Sequence, residues 1–551
     1  MKVRSFKRAL ALFVLMGLAV VIAVSKGKNV WAAYGAEEPA YVYADVSAAT
    51  LYVDGSIGVN QCSTYDPATR SCGSGSTTAY RTIGGAAAAV TPGITVLIQP
   101  GTYAGGITVD TSGTSVAPIT FRANGAGVVI NGSGGERDAF FITWADYIVV
   151  EGLTIQNATR AAVRIDNAHH VTVRNSTLAN NGTWGLFTDF SDYTTVENSE
   201  AYGSVDEHGI YISNSSDYPV IRGNRLHHNH NCGLHMNGDA SMGGDGIISH
   251  ALVENNVIYE NGLNGGSGIN LDGVTDSVVR NNLLYDNHAN GISLYQIDGG
   301  SGSINNRVLH NTFIMAANGR WGINIDEVST GNKVLNNIVL NKDSWRGSIM
   351  IATPALAGFE SNYNVIMDRL STDSGDTVIS LAQWRALGYD HDSLIATADQ
   401  LFVNPVVNNY HLKTGSPALD RGTSLPDVPA DLEGQPRPQG SGWDIGAFEF
   451  QPAIKLNGAP ANQTIYLNWT ANVTLPSTGT WRLAYYSQTV PIMINNILSP
   501  TRVYSLTGLT NYAWYTVTLN AMLESSPFLT DTIKLMPTDR LVYLPIVLRS
   551  Q

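Results

Sequence analysis

The chain is predicted to be all-β: a parallel β-helix solenoid followed by a small C-terminal β-sandwich. Three observations carry this. A Gly-apolar-X-apolar-X phrase recurs as Gly185-Leu-Phe-Thr-Asp189, Gly209-Ile-Tyr-Ile-Ser213, Gly233-Leu-His-Met-Asn237, Gly268-Ile-Asn-Leu-Asp272, Gly291-Ile-Ser-Leu-Tyr295 and Gly322-Ile-Asn-Ile-Asp326. The glycines are 24, 24, 35, 23 and 31 residues apart, a repeat of solenoid size. A second short strand then ends in asparagine, as in Val-Glu-Asn198, Val-Glu-Asn-Asn256, Val-Arg-Asn-Asn282 and Val-Leu-Asn-Asn337. Strands this short, rich in β-branched residues and closed by Asn and Gly, make β-coils and not helix pairs.

Taken in chain order, the N-terminus places Lys2, Arg4, Lys7 and Arg8 before an apolar run from Ala9 to Val24 and small residues at Ala33 and Ala36. Residues 1–36 read as a secretory signal. No other run is long enough to span a bilayer, so no transmembrane segment is expected once the signal is removed. Residues 37–135 read as an N-terminal cap and first coils, 136–450 as the β-helix with its closing coil. Residues 451–551 read as a fibronectin-III- or immunoglobulin-like attachment module, from alternating strands such as Ile465-Tyr-Leu-Asn-Trp469 and Trp481-Arg-Leu-Ala-Tyr-Tyr486. The run Leu541-Val-Tyr-Leu-Pro-Ile-Val-Leu-Arg549 is either its last strand or a tail. Cys62 and Cys72 bracket a short loop and are expected to form a disulfide in an exported protein, leaving Cys232 as a small buried residue.

The net charge of -13, with 14% charged residues, argues against a nucleic-acid partner, which demands clustered Lys and Arg. The expected setting is secreted or cell-surface-associated, the expected partner an extracellular acidic polysaccharide, and the expected state a monomer.

A solenoid converts sequence columns into spatial rows about 4.8 Å apart. The apolar positions of each repeat point inward. The first outward row then reads Arg164, Phe187, Tyr211, His235, Asn270, Ser293 and Asn324, and the second Asp166, Asp189, Ser213, Asn237, Asp272, Tyr295 and Asp326. Trp184, His208, Cys232, Ser267, Asn290 and Trp321 precede the glycines. Aromatic rings, imidazoles and carboxylates side by side suit sugar rings, which have apolar faces and hydroxyl edges. The longer connections Asp239–His250, Asn261–Ser267 and Gln296–Asn306 would build the walls of a groove. The repeated turn residues Asn175, Asn198, Asn255, Asn281 and Asn336 read as structural, because Asn tolerates left-handed backbone.

His208, Tyr211, His235, Asn270 and Asp272 are the candidate catalytic group. Elimination from a uronate requires a group that neutralises the carboxylate, a base and an acid, and Asn270, His235 and Tyr211 can fill these roles in that order. Trp184, Asp189, Tyr295, Trp321, Asn324 and Asp326 are candidate substrate contacts. Asp272 and Asp326, two coils apart, offer an alternative pair for inverting glycoside hydrolysis. Asp239 and Asp245 are candidate calcium ligands. A third alternative is a non-catalytic glycan-binding or adhesion protein, for which Trp184, Tyr211, Tyr295 and Trp321 would be platforms.

The phrases Tyr52-Val-Asp-Gly-Ser56, Tyr80-Arg-Thr-Ile83, Val96-Leu-Ile-Gln-Pro-Gly-Thr-Tyr103 and Tyr147-Ile-Val-Val-Glu-Gly-Leu-Thr-Ile155 resemble secreted right-handed parallel β-helix proteins of the pectin-lyase-like group. Tyr410-His-Leu-Lys-Thr-Gly-Ser-Pro-Ala-Leu-Asp420, Asp431-Leu-Glu-Gly-Gln-Pro-Arg437 and Trp443-Asp-Ile-Gly-Ala-Phe-Glu449 resemble their closing coil. The group includes pectate lyases of polysaccharide lyase family 9, so the resemblance, over roughly residues 50–450, implies a secreted polysaccharide lyase with calcium as candidate cofactor. Such lyases more often use a Lys or Arg base; neither outward row contains a lysine, and Lys333 lies beyond the strand of Asp326. The Asn/His/Tyr set instead resembles one used by uronate lyases on other folds.

Overall fold

The computed structural model describes residues 49–540 except 474, 476–478, 488, 489, 524 and 525. The signal expected at residues 1–36 and the apolar run at 541–549 lie outside the described residues. No helix among the described residues is long and apolar enough to cross a membrane.

Each coil lays three short strands on those of the coil before. Trp184–Asp189, Thr195–Glu197 and Glu200–Tyr202 form one coil, and Ile210–Ser213 begins the next. Repetition builds sheets of fifteen, eleven and twelve strands along the molecule, parallel apart from an antiparallel hairpin near the start of the first. Every inward residue of the repeat is buried: Ile210, Ile212, Leu234, Met236, Ile269, Leu271, Ile292, Leu294, Ile323 and Ile325 are at most 1% exposed and belong to one continuous core. Burying a side chain of this kind stabilises by about 1.5–3 kcal/mol.

The turn asparagines divide into two kinds. Asn175, Asn198, Asn255, Asn281 and Asn336 adopt φ between 48° and 58°, the left-handed conformation expected of them. The asparagine after three of these turns inward. Asn224 Nδ2 donates to Asn256 Oδ1 at 3.0 Å, Asn256 to Asn282 at 2.9 Å, Asn282 to Asn311 at 2.9 Å, Asn311 to Asn337 at 3.1 Å and Asn337 to Asn364 at 3.2 Å. A second ladder links Asn229, Asn261 and Asn287 at 2.9 and 3.0 Å. Each rung also donates to a strand carbonyl, as Asn282 Nδ2 does to Val253 O at 2.9 Å.

The expected disulfide joins Cys62 to Cys72. Near the C-terminal end of the helix, Arg437 and Glu449 form a fully buried ion pair at 2.8 Å. Asn281 Nδ2 donates to Ala430 O at 2.8 Å and ties this closing segment to the turns. Beyond it lie antiparallel sheets of three and four strands with their own core around Trp469 and Trp481, consistent with a small β-sandwich.

Removing a rung leaves buried N–H and C=O groups without partners. Asn282→Ala is expected to lower stability by about 3 kcal/mol, read as a shift of the urea midpoint, while Asn198→Gly, at an exposed turn of φ 48°, costs under about 1 kcal/mol.

Candidate functional site

The first outward row is realised in full. Arg164, Phe187, Tyr211, His235, Asn270, Ser293 and Asn324 are successive register partners on the eleven-stranded sheet. The second row is not continuous. Ser213, Asn237, Asp272 and Tyr295 are partners, but the register is lost between Asp189 and Ser213, whose amide turns to Thr188 Oγ1 at 3.1 Å. Asp326 lies past the end of Ile323–Ile325. Its carboxylate accepts the amide of Glu327 at 3.0 Å and the hydroxyl of Ser374 at 3.2 Å.

The centre of the face is a packed group of rings. Tyr211 stacks on His235 with centroids 4.9 Å apart, and His208 meets both edge-on, at 5.2 and 4.6 Å. Trp184 stacks on Phe187 at 4.3 Å and leans on Tyr211. Its Nε1 donates to Glu207 Oε2 at 2.8 Å, and the same carboxylate oxygen lies 3.5 Å from His208 Nε2.

The hydrogen bonds assign the imidazole protons. The Cys232 amide donates to His208 Nδ1 at 3.2 Å, so the neutral His208 ring carries its hydrogen on Nε2. That nitrogen lies 3.0 Å from His235 Nδ1, which must accept. His235 therefore carries its own hydrogen on Nε2, an atom closed off from solvent with no hydrogen-bond partner among the described residues. Burial holds His235 down to about 4, and burial together with the His235 charge holds His208 well below its ordinary range. Both rings are neutral near pH 7. The base role expected of His235 is thus the less suited one; its Nε2–H is a fixed donor, able to meet a carboxylate.

Asn270 Nδ2 donates to Tyr295 Oη at 2.7 Å and its Oδ1 accepts from Ser267 Oγ at 3.2 Å. Tyr211 Oη accepts from Asn237 Nδ2 at 3.3 Å. Burial, opposed by that bond and aided by the charges of Glu207, Asp239 and Asp298, pushes the phenol up to about 12. It stays protonated and is an acid.

Asp272 is corrected from catalyst to scaffold. It is 1% exposed, and its carboxylate accepts the amides of Ile297, Asp298 and Gly299 at 2.9, 2.9 and 3.1 Å. Those bonds hold the turn of the third long connection, and the hydrolase pair Asp272/Asp326 loses a member. Trp321 is 5% exposed, so it is core and no platform. Asp189 is held by Arg164 at 3.3 Å and Asn214 at 2.5 Å, and Asn324 is buried beside Ser293.

Among the described residues, neither Asp239 nor Asp245 belongs to a group of three or more His, Cys, Asp or Glu ligand atoms. Asp239 Oδ1 accepts from the amide and hydroxyl of Ser241, and Asp245 Oδ1 from the amide of Ile247, so each carboxylate closes its own turn. Among the described residues one group of three His, Cys, Asp or Glu ligand atoms lies together, within 4.8 Å: His208, Cys232 and His235. It does not fit a transition metal as it stands. His208 has no lone pair to give while Nδ1 accepts the Cys232 amide, and burial pushes the Cys232 thiol up to about 12, against the thiolate.

Sequence reasoning placed Glu207, with Asp206, among carboxylates of the rim and Asn237 in the second outward row without giving either a site role, and did not single out Asp298, which lies 3.5 Å from Asn237 Nδ2. Glu207 directly precedes His208, and Asn237 stands two positions after His235 on the same face of the strand.

Residues 105–243 match the family model of the right handed beta helix region, and with the three parallel sheets this makes the chain a right-handed parallel β-helix protein. No curated protein matches it in sequence. Among solved structures it is similar to an alginate lyase from Paenibacillus sp. str. FPU-7, at 21% identity over 52% of this chain and 94% of that one, with a TM-score of 0.39. It is similar to a rhamnogalacturonan lyase at 15% identity over 64% and 90%, with a TM-score of 0.38. It is also similar to PfbA, a surface adhesin of Streptococcus pneumoniae, at 13% identity over 52% and 83%, with a TM-score of 0.36. At TM-scores below 0.5 the fold rests on the strand pairing described above and not on these likenesses.

The unfolded chain takes up protons on histidine near pH 6.5, whereas buried His208 and His235 resist until far lower. Below about pH 6.5 the unfolded state binds more protons, so stability contributed by this pair is lost as pH falls toward 4 and is complete above about 7. Melting temperature measured from pH 7 to 4.5 is expected to fall less steeply in His235→Gln than in the wild type.

Proposed function

We propose that the protein acts outside the cytoplasm on a uronate-containing polysaccharide and cleaves it by β-elimination. One observation carries this reading: Tyr211, His235 and Asn270 stand on three consecutive strands of one row, and His235 Nε2–H has no partner among the described residues. A buried donor without an acceptor costs about 1–3 kcal/mol, a cost that a bound acceptor removes. The Cys62–Cys72 bridge suits an oxidising compartment.

In this reading the Asn270 amide turns from Tyr295 Oη and opens His235 Nε2–H, closed off from solvent in this structure, and the two donors receive the uronate carboxylate and stabilise the charge that develops when the neighbouring C–H proton leaves. Glu207, half-exposed and joined to the ring cluster through Trp184 and His208, accepts that proton. The C–O bond to the departing sugar breaks as the C=C bond forms, and the Tyr211 phenol protonates the leaving oxygen. Trp184, stacked at the edge of the cluster, contacts a sugar ring. A cation such as calcium, which would offset repulsion between Glu207 and the substrate, is part of the proposal.

Incubation with a panel of uronate and neutral polysaccharides, with and without calcium, is expected to give the ultraviolet absorbance of an unsaturated uronate. Tyr211→Phe and Glu207→Gln are each expected to lower kcat by about 100-fold or more with KM little changed, the size of effect for a lost acid or base. Reducing ends without that absorbance would move the reaction to hydrolysis. Glycan binding with no product of either kind would leave a binding or adhesion protein.

A further inference from the structure

Seven consecutive arginines of this β-helix are paired, and the next two in the chain are not. The seven arginines from Arg160 to Arg307 each form an ion pair with an Asp or Glu. Arg320 and Arg346 form none with any described residue. Arg122, Arg137 and Arg421 also form no ion pair among the described residues, so what sets Arg320 and Arg346 apart is that they share one cavity.

They line one cavity of about 320 Å³ together with His288, Asn318 and Asn264. Its wall is the loop around Gly265, part of a long connection at the edge of the site sheet. His288 Nδ1 lies 2.8 Å from Asn318 Oδ1, which can only accept, so the ring is held in place with Nδ1 protonated. Asp343, whose carboxyl feels the charge of Arg346, is already engaged: its Oδ1 accepts the amides of Trp345 and Arg346 at 2.8 and 2.7 Å, and against its burial those bonds and the charges of Arg346 and Arg369 hold it low. Arg369 itself is engaged by backbone carbonyls of the same loop. Trp345, beside Arg346, is 58% exposed, and Leu263 across the cavity loop is 70% exposed.

The cavity stands on the same edge of the sheet as the ring cluster. Arg320 immediately precedes Trp321, and Trp321 occupies the column that holds His208 and Cys232 on earlier coils. From the strand of His235 to that of Asn324 is three strand steps, roughly 14 Å at about 4.8 Å each. A short oligosaccharide lying along the helix axis covers that distance.

We propose that Arg320 and Arg346 form an anion subsite for an acidic glycan, taking a carboxylate or sulfate ester on a sugar some residues away from the Tyr211–His235 centre. The position of the subsite relative to the centre rests on the proposed function; the recognition of charge does not. Two arginines supply the forked donors that a planar carboxylate or a sulfate accepts, and exposed Trp345 and Leu263 supply apolar surface for a ring face.

The test is calorimetric titration of the wild type and of the double variant Arg320→Gln/Arg346→Gln with three probes: a galacturonate hexamer, its carboxyl-reduced neutral counterpart, and a sulfated dextran oligosaccharide. The wild type is expected to bind at least one charged probe and to bind the neutral one at least roughly tenfold more weakly. The double variant is expected to lose about tenfold or more toward the charged probe and nothing toward the neutral one, the size expected when charge-assisted hydrogen bonds are removed. The charged probe that responds identifies the group. Arg320→Lys/Arg346→Lys is expected to recover part of the loss, and thermal melting checks that each variant is folded. Equal affinity in wild type and double variant, equal affinity for charged and neutral hexamers, or no binding of either charged probe would each overturn the subsite. Because binding is read without turnover, a charge-dependent loss with no cleavage keeps the subsite and removes the lyase reaction, whereas cleavage with unaltered binding does the reverse.

Discussion

The hydrogen bond from one buried asparagine to the next underlies the rest of this structure. A parallel strand of three residues has few backbone bonds with which to hold its register, and a slip of one residue would turn every inward side chain outward. The ladder from Asn224 to Asn364 and the shorter one from Asn229 to Asn287 remove that freedom, because each rung accepts from the coil before and donates to the coil after. In a low-dielectric interior such chains of amides reinforce one another. The core then follows, since Ile, Leu and Val can stack only when every coil keeps the same phase.

Register also places the chemistry. Tyr211, His235 and Asn270 come together because three strands are in step, with no loop needed to bring them there. The turn before each strand adds the second component: His208 comes from the turn ahead of its own coil, and the amide of Cys232 on the next coil settles which nitrogen of His208 carries hydrogen. That single amide propagates through two rings and decides what His235 can do. Burial, aided by the surrounding carboxylates, keeps Tyr211 protonated, so the centre consists of two donors and an acid with the Glu207 carboxylate beside them.

Much of this was legible in the sequence, and the part that was not has a physical reason. The inward residues and the first outward row follow from alternation alone, and the strand register matches them position by position. The second row failed where alternation stops being informative: after Phe187 the chain shifts register, and Asp326 falls past the end of its strand. Hydrogen-bond direction is also invisible to pattern. Asp272 has the residue type and position of a catalytic carboxylate, yet the connection that follows Tyr295 folds back and points three amides at it. Trp321 has the type of a sugar platform but is covered by the Gly375 segment, whose backbone lies against its indole. The proton positions on His208 and His235 require knowing that a backbone amide faces one ring nitrogen, which no spacing encodes.

The paired ladders bear on how such a chain can change its length over evolutionary time. Each coil along the longer ladder supplies one rung to that asparagine column and one strand to each of three sheets. Loss or gain of a fraction of a coil would break several columns at once, whereas loss or gain of a whole one leaves every column one member shorter or longer. Length variants of this architecture should therefore differ by complete turns, with partial insertions confined to connections such as Asp239–His250 that lie outside the columns. A duplication of one turn would lengthen the working face by a fixed step of about 4.8 Å, so the surface available to an extended ligand is quantised by the backbone spacing of the sheet itself.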